Sequence, residues 1–291
     1  MARSRLATDI RRCLSLHAVR PLRAALGRRT TEGFGILMYH RVVDATNRPL
    51  PRGTIDRRRF RDQLAGLLRR GFRPVALSEV AKRHAAGEAV PPRSFIVTFD
   101  DGYECLYETA WPVLQDLGVP ATVFLVTSHL DRPNPMLFDD WLDDWRQRCP
   151  AAWGRSLTLD QCRRMQAAGL IEFGTHTHTH RRFAEEPQTF AGELGDSLAV
   201  LRNELGVERP PLAYPFGYWT SEMAQAARQC GSPCALTTEP RSVSPGDDRF
   251  SWGRFEVESY DTAGTLAVKL DGWYTWSLRL WQRLRGKGPP R

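Results

Sequence analysis

The sequence predicts an α/β domain with parallel strands inside and helices outside. Short apolar, β-branched runs alternate with amphipathic stretches through the whole middle of the chain, and a repeated strand-then-helix order favours parallel pairing. The chain has 291 residues, 42% of them hydrophobic, enough for one large core. A closed α/β barrel commonly takes about 250 residues. No internal repeat or long low-complexity linker interrupts the middle of the chain.

In chain order, the apolar run at 35–39 reads as the first strand, and amphipathic periodicity at 57–68 and 78–86 reads as two helices. The run at 95–99 is the second strand and is followed by a helix at 106–117. A third strand is expected at 121–126, a helix at 159–168, a strand at 171–173 and a long helix at 188–205. Strands at 212–214 and 235–238 flank a helix at 221–229. Residues 128–156 break the rhythm with Pro133, Pro135 and Pro150. Within them, Leu137, Phe138, Trp141, Leu142 and Trp145 fall at helical spacing and read as a packing stripe, a lid being the alternative. The acidic pairs Asp139-Asp140 and Asp143-Asp144 read as its solvated face.

The run Ser94 to Phe99 delivers Asp100 and Asp101 into a turn at Gly102. Catalytic groups collect where parallel strands end, and adjacent carboxylates can divide the work, one holding a cation and the other acting as base. An N-capping aspartate in an ordinary turn is the plainer alternative. Three of the seven histidines, His176, His178 and His180, stand at alternate positions. An extended chain would turn all three imidazoles to one side; a helical turn would pair only His176 with His180. The outer pair is therefore nominated under either geometry. With one of the two aspartates it makes an Asp/His/His set with room for water and substrate, as a hydrolytic ion requires.

Thr98-Phe99-Asp100-Asp101-Gly102 followed by His176-Thr177-x-x-His180 resembles the polysaccharide deacetylases, the NodB-homology group or carbohydrate esterase family four, over about residues 35–273. The resemblance narrows the fold to a distorted (β/α)7 barrel. It implies that Asp100 is the catalytic base and that Asp101, His176 and His180 hold a divalent metal, zinc first, with cobalt or nickel as alternatives. A third motif is matched by Ala213-Tyr214-Pro215-Phe216-Gly217. There the backbone N–H of Phe216 would take the oxyanion, a role open to any residue but proline. Tyr214 and Trp219 are the expected substrate contacts, Trp219 as a stacking face for a sugar. Ala213 stands where many members carry an arginine that orients the base; Arg254 is the candidate replacement, an ordinary arginine on a terminal strand being the alternative. The late histidine that serves as general acid in many members is missing, because no histidine follows His180. Tyr39-His40 near the start resembles the branch acting on β-1,6-linked poly-N-acetylglucosamine, which assigns the acid to His40.

The expected reaction is metal-dependent removal of N-acetyl groups from a sugar in a polysaccharide or lipid-linked glycan. Hydrolysis of a small non-sugar amide and a catalytically silent carbohydrate-binding protein are the alternatives. No Gly-x-Ser-x-Gly elbow and no phosphate-binding glycine loop is present, which argues against serine esterases and nucleotide-driven enzymes. The domain is expected at 34–270, between a basic segment at 1–33 and a basic aromatic helix or tail at 271–291. Residues 1 to 30 hold eight arginines and no lysine, and no apolar signal-peptide core follows them. No stretch reaches the roughly 18 apolar residues of a membrane span. The expectation is a cytoplasmic protein, with peripheral contact to an anionic membrane through its ends. The net charge of +8 comes without a nucleic-acid motif, so nucleic acid is not an expected partner; oligomeric state is not readable. Six cysteines without a zinc pattern fit reduced thiols, with Cys230 and Cys234 the one pair spaced to bridge.

Overall fold

The apolar runs become one parallel sheet curled on itself, with helices around its outside. The computed structural model describes residues 33–45, 50–136 and 150–284. Among them the strands are β1 (Gly35–Tyr39), β2 (Arg41–Val43), β3 (Thr54–Asp56), β4 (Arg73–Pro74), β5 (Ser94–Phe99), β6 (Ala121–Leu125), β7 (Ile171–Thr175), β8 (Leu212–Ala213), β9 (Ala235–Leu236) and β10 (Phe255–Glu256). The main sheet runs β10-β1-β5-β6-β7-β8-β9, all parallel, with β4 added against β5; β2 and β3 pair separately. Register holds Leu37 opposite both Phe255 and Val97, and Val97 opposite Ala121. Beyond β9 the chain meets its own return: Leu236 bridges Trp252 in parallel, and Thr237 N–H donates to the Trp252 carbonyl at 2.8 Å. Trp252 lies three residues before β10, so the two ends of the sheet approach each other and the barrel is distorted.

Both faces of these strands are buried, which is why the sequence shows continuous apolar runs and no alternation with polar residues. The pleat still sorts the side chains. Ile36, Ile96, Phe124, Ala213 and Leu236 gather with Trp252 in one cluster. Their neighbours Leu37, Phe95, Val97, Val123 and Leu125 join the layer beneath the helices. Thr98 and Asp100 share the parity of Ile96 and point inward.

The helices are α1 (Arg57–Arg69), α2 (Leu77–Ala85), α3 (Trp111–Leu117), α4 (Leu159–Ala167), α5 (Phe190–Leu205), α6 (Ser221–Gln229), α7 (Ala263–Leu270) and α8 (Trp273–Leu284). Asp56 caps α1 by accepting from the N–H groups of Arg58 and Arg59, and Thr158 with Gln161 forms a capping box on α4.

All six expected strands are present, with ends shifted by a residue or two. The expected helix at 106–117 divides into a π-turn at Leu106–Ala110 and α3, where Pro112 falls in the first turn. Proline lacks the N–H that would continue the ladder back into the preceding turn. The β2/β3 pair, the short β4 and α7 carry too few residues or too little periodicity to be anticipated, while β10 is the terminal strand beside Arg254. Trp273 and Tyr274 at the start of α8 are buried in the outer core layer, and Trp276 and Leu278 pack on it, while Leu280 is exposed. The aromatic stripe of residues 137–145 and the basic segment 1–32 lie outside the described residues. Cys105, Cys162, Cys230 and Cys234 are free thiols, so the 230–234 pair is not bridged. No described helix is long and apolar enough to cross a membrane.

Candidate active site

Backbone geometry at the ends of β5, β7 and β8 builds the site. β5 hands its last ladder bond to Asp100, whose N–H donates to the Tyr39 carbonyl at 2.9 Å. The chain then turns through Asp101 (φ 70°) and Gly102 (φ 72°), both left-handed. The left-handed φ favours glycine at 102, where a Cβ would also press on the Leu125 side chain at 2.6 Å. After β7, Thr177 (φ 66°) and His180 (φ 57°) are left-handed too, and the His180 N–H donates to Thr177 Oγ1 at 3.2 Å. The histidine segment therefore coils and does not continue the strand. His178 turns away, with Nδ1 3.0 Å from Thr127 Oγ1, while His176 and His180 point to the Asp pair.

Asp101 Oδ1 lies 3.5 Å from Nε2 of each of these two histidines, and all three side chains are buried. The ligand atoms of Asp101, His176 and His180 lie within 4.8 Å of one another. His176 Nδ1 donates to the Ala213 carbonyl at 2.7 Å, which fixes the tautomer and leaves Nε2 as a lone-pair donor toward Asp101. Burial pushes both imidazoles below their ordinary pKa, His180 strongly, so they stay neutral, the form that binds a cation. One carboxylate and two neutral imidazoles fit zinc or a similar divalent ion.

Asp100 is held differently. Arg254 rises through the barrel from just before β10 and donates Nη1 to Oδ1 at 2.6 Å and Nη2 to Oδ2 at 2.7 Å. Its Nε donates to the Thr237 carbonyl at 2.9 Å, and its guanidinium carbon lies 5.7 Å from the Phe124 ring. Burial would raise the Asp100 pKa, yet the charge and hydrogen bonds of Arg254, with His176 nearby, hold the carboxyl well below the usual carboxylate range.

Asp100, Asp101, His176, His180, His40 and Phe216 line one cavity of about 380 Å³. Phe216 sits at φ 58° in the turn Pro215–Gly217, an unusual conformation for a bulky residue. The His180 ring packs on it at 4.6 Å. Gly217 follows at φ 74°, where a Cβ would meet Thr238 Oγ1 at 2.1 Å.

A polysaccharide deacetylase family model matches residues 87–235, just over half of the sequence. The chain belongs to the polysaccharide deacetylase family. It is 27% identical to a poly-β-1,6-N-acetyl-D-glucosamine N-deacetylase of Staphylococcus epidermidis over 222 residues, covering 73% of this chain and 71% of that one. The fold matches that of IcaB from Ammonifex degensii with a TM-score of 0.67 and 26% identity, over 84% of this chain and 97% of that one. It also matches the Streptococcus pyogenes deacetylase PplD, with a TM-score of 0.69 and 22% identity, over 83% and 99% of the two chains. This deacetylase keeps the Asp-Asp and His-Thr-x-x-His motifs of the family, and Arg254 stands beside Asp100 where Ala213 offers no side chain to orient it.

The two expected substrate residues, Tyr214 and Trp219, do not line the cavity. Tyr214 is fully buried, its hydroxyl donating to the Phe250 carbonyl at 3.1 Å, because it lies on the helix-facing side of the strand end. Trp219 is 41% exposed and stacks on the Tyr214 ring at 6.3 Å, also off the cavity wall. Besides Phe216, the exposed aromatic that lines it is Tyr218, at 53%. Sequence reasoning also missed Arg41, Arg52, Arg182 and Glu256 on the wall. The only signal for Tyr218 was its place just after the glycine turn; the others come from separate loops and strand ends with no shared motif.

Proposed function

We propose that this deacetylase hydrolyses the N-acetyl group of N-acetylglucosamine residues in an envelope or extracellular polysaccharide, with a divalent metal, zinc first, held by Asp101, His176 and His180. The observation that carries the reading is the pairing of two differently held carboxylates on one cavity: Asp101 beside two neutral imidazoles, and Asp100 locked ionised by Arg254. The poly-N-acetylglucosamine substrate printed in the name of the Staphylococcus relative supports the choice of sugar. A cation held there supplies Lewis acidity toward the acetyl carbonyl and acidifies the attacking water.

The chain's own groups divide the remaining work. Asp100 accepts the proton that the attacking water loses as its oxygen bonds to the acetyl carbon. Arg254 positions that carboxylate and keeps it ionised. The Phe216 N–H is assigned to the carbonyl oxygen as charge develops on it, the tight turn at Gly217 setting its position. His40, half-buried and lining the same cavity, gives a proton to the sugar nitrogen as the carbon–nitrogen bond breaks. Acetate and a free amine leave, and no covalent enzyme intermediate is needed. The test is acetate release from N-acetylglucosamine oligomers by metal-stripped protein, with zinc, cobalt or nickel returned. Release restored by metal and abolished by Asp101→Ala supports the proposal; release indifferent to chelation refutes the metal dependence.

A further inference from the structure

Three arginines, Arg41, Arg52 and Arg182, line the cavity, and their circumstances differ. Arg52 is neutralised by Glu256 at 2.7 Å. Arg41 is fully buried, its Nε donating to the Trp153 carbonyl and its guanidinium lying 3.5 Å from the Tyr103 ring centre. Arg182 is exposed, and among the described residues no carboxylate lies within ion-pair distance of it. Its guanidinium carbon sits 4.7 Å from the Phe216 ring centre and 5.7 Å from that of Tyr218. Phe216 in turn packs on the imidazole of His180, so Arg182 stands one aromatic ring away from the proposed reaction centre.

We propose that Arg182 is a specificity residue that binds an anionic substituent, a phosphate or a carboxylate, on the glycan beside the acetamido group to be cleaved. Stacking on two rings limits the motion of the guanidinium before substrate arrives and leaves its in-plane N–H donors for an oxyanion, which Arg can grip with two parallel hydrogen bonds. The other charges around the cavity do not compete for it: Arg52 pairs Glu256, and Arg254 pairs Asp100. A wholly neutral glycan would leave this cation without a counter-charge. Hydrogen bonds involving a charged group favour binding enough to give about a tenfold preference or more.

The inference rests on the proposed deacetylation for its turnover arm but not for its binding arm. In the first arm, kcat and KM for acetate release are measured on a neutral N-acetylglucosamine tetramer, the same tetramer carrying one 6-phosphate, and a tetramer alternating N-acetylglucosamine with glucuronate. The expected result is a kcat/KM preference of about tenfold or more for at least one anionic tetramer, carried in KM and shrinking as salt rises. Which of the two is preferred separates phosphate from carboxylate. Arg182→Gln should bring the anionic-to-neutral ratio to about one, and Arg182→Lys should retain part of it because the charge remains. That ratio is insensitive to a general loss of folded protein. Equal kcat/KM for all three tetramers, or a preference that survives Arg182→Gln, overturns the inference while leaving deacetylation standing. In the second arm, calorimetry compares N-acetylglucosamine 6-phosphate and an N-acetylglucosamine–glucuronate disaccharide with N-acetylglucosamine. If no tetramer releases acetate with any metal, the proposed function fails and this arm decides Arg182 alone. Tighter binding of either anionic sugar in the wild type, lost in Arg182→Gln, sustains it; equal binding of all three ends it.

Discussion

Replacing Arg254 with methionine removes the sole arginine found on Asp100 among the described residues and leaves a side chain of similar reach inside the barrel. Both partners are buried, at 0% and 3% side-chain exposure, and two charge-assisted hydrogen bonds of 2.6 and 2.7 Å disappear at once. Breaking a buried pair by removing one partner typically costs about 3–5 kcal/mol. For a domain of this size each kcal/mol moves Tm by roughly 2–4 °C, so the expected fall is roughly 6–20 °C. The pH signature is sharper, because its sign reverses. In the wild type the folded-state pKa of Asp100 lies below the unfolded value near 3.9. The stability it contributes is therefore present above that value and is lost as pH falls toward the folded pKa. Without Arg254, burial dominates and the folded pKa lies above the unfolded one, so this group's contribution grows as pH falls.

Thermal denaturation of metal-stripped protein between pH 4 and 8 reads the first effect, and the acid limb of kcat/KM reads the second. The limb should move to higher pH in Arg254→Met, since a protonated Asp100 accepts no proton. Arg254→Lys should recover charge but not the two-point grip, giving an intermediate limb. A Tm within about 2 °C of wild type together with an unmoved acid limb would refute the role of Arg254 as the group that positions and ionises the base.

Three further substitutions and one titration test the rest of the site. His40→Ala should lower kcat on an N-acetyl sugar by about 10²–10⁴-fold, yet hardly affect hydrolysis of 4-nitrophenyl acetate, whose leaving group needs no proton; an equal loss on both substrates would remove His40 from the acid role. His176→Ala should abolish zinc binding by calorimetry and make Tm indifferent to chelator, whereas His178→Ala, whose ring faces Thr127, should leave zinc affinity intact. Gly217→Ala combines a φ of 74° with a Cβ placed 2.1 Å from Thr238 Oγ1, and should cost about 1–3 kcal/mol by denaturant unfolding; an unchanged midpoint would contradict the tightness of this turn. Because burial lowers the pKa of His176 and His180, protons should compete with zinc only below the ordinary imidazole pKa near 6.5, so zinc affinity should hold level from pH 7.5 to 6.5.

Legibility in the sequence follows the distance over which each feature is written. The strands buried on both faces announce themselves as apolar runs, and the Asp and His motifs are contiguous, so one reading of the chain finds them. Arg254 is 154 residues from Asp100, and its nomination came from a missing partner at Ala213, not from any local pattern. What the sequence does not write is the direction in which a side chain leaves a turn. Tyr214, Tyr218 and Trp219 are near neighbours of similar chemistry, and the left-handed pair Phe216-Gly217 sends only Tyr218 to the cavity. The same device acts at each motif. Among the described residues, six non-glycine positions have positive φ, and Asp101, Thr177, His180 and Phe216 are four of them. Such conformations cost about 1–3 kcal/mol each and persist only where the surroundings enforce them. Here they end β5, β7 and β8 with turns, which is what brings an aspartate, two imidazoles and a backbone N–H to bear on one small volume. Relaxing any one of these turns would be expected to displace its ligand or donor without emptying the core, and to cost activity before stability.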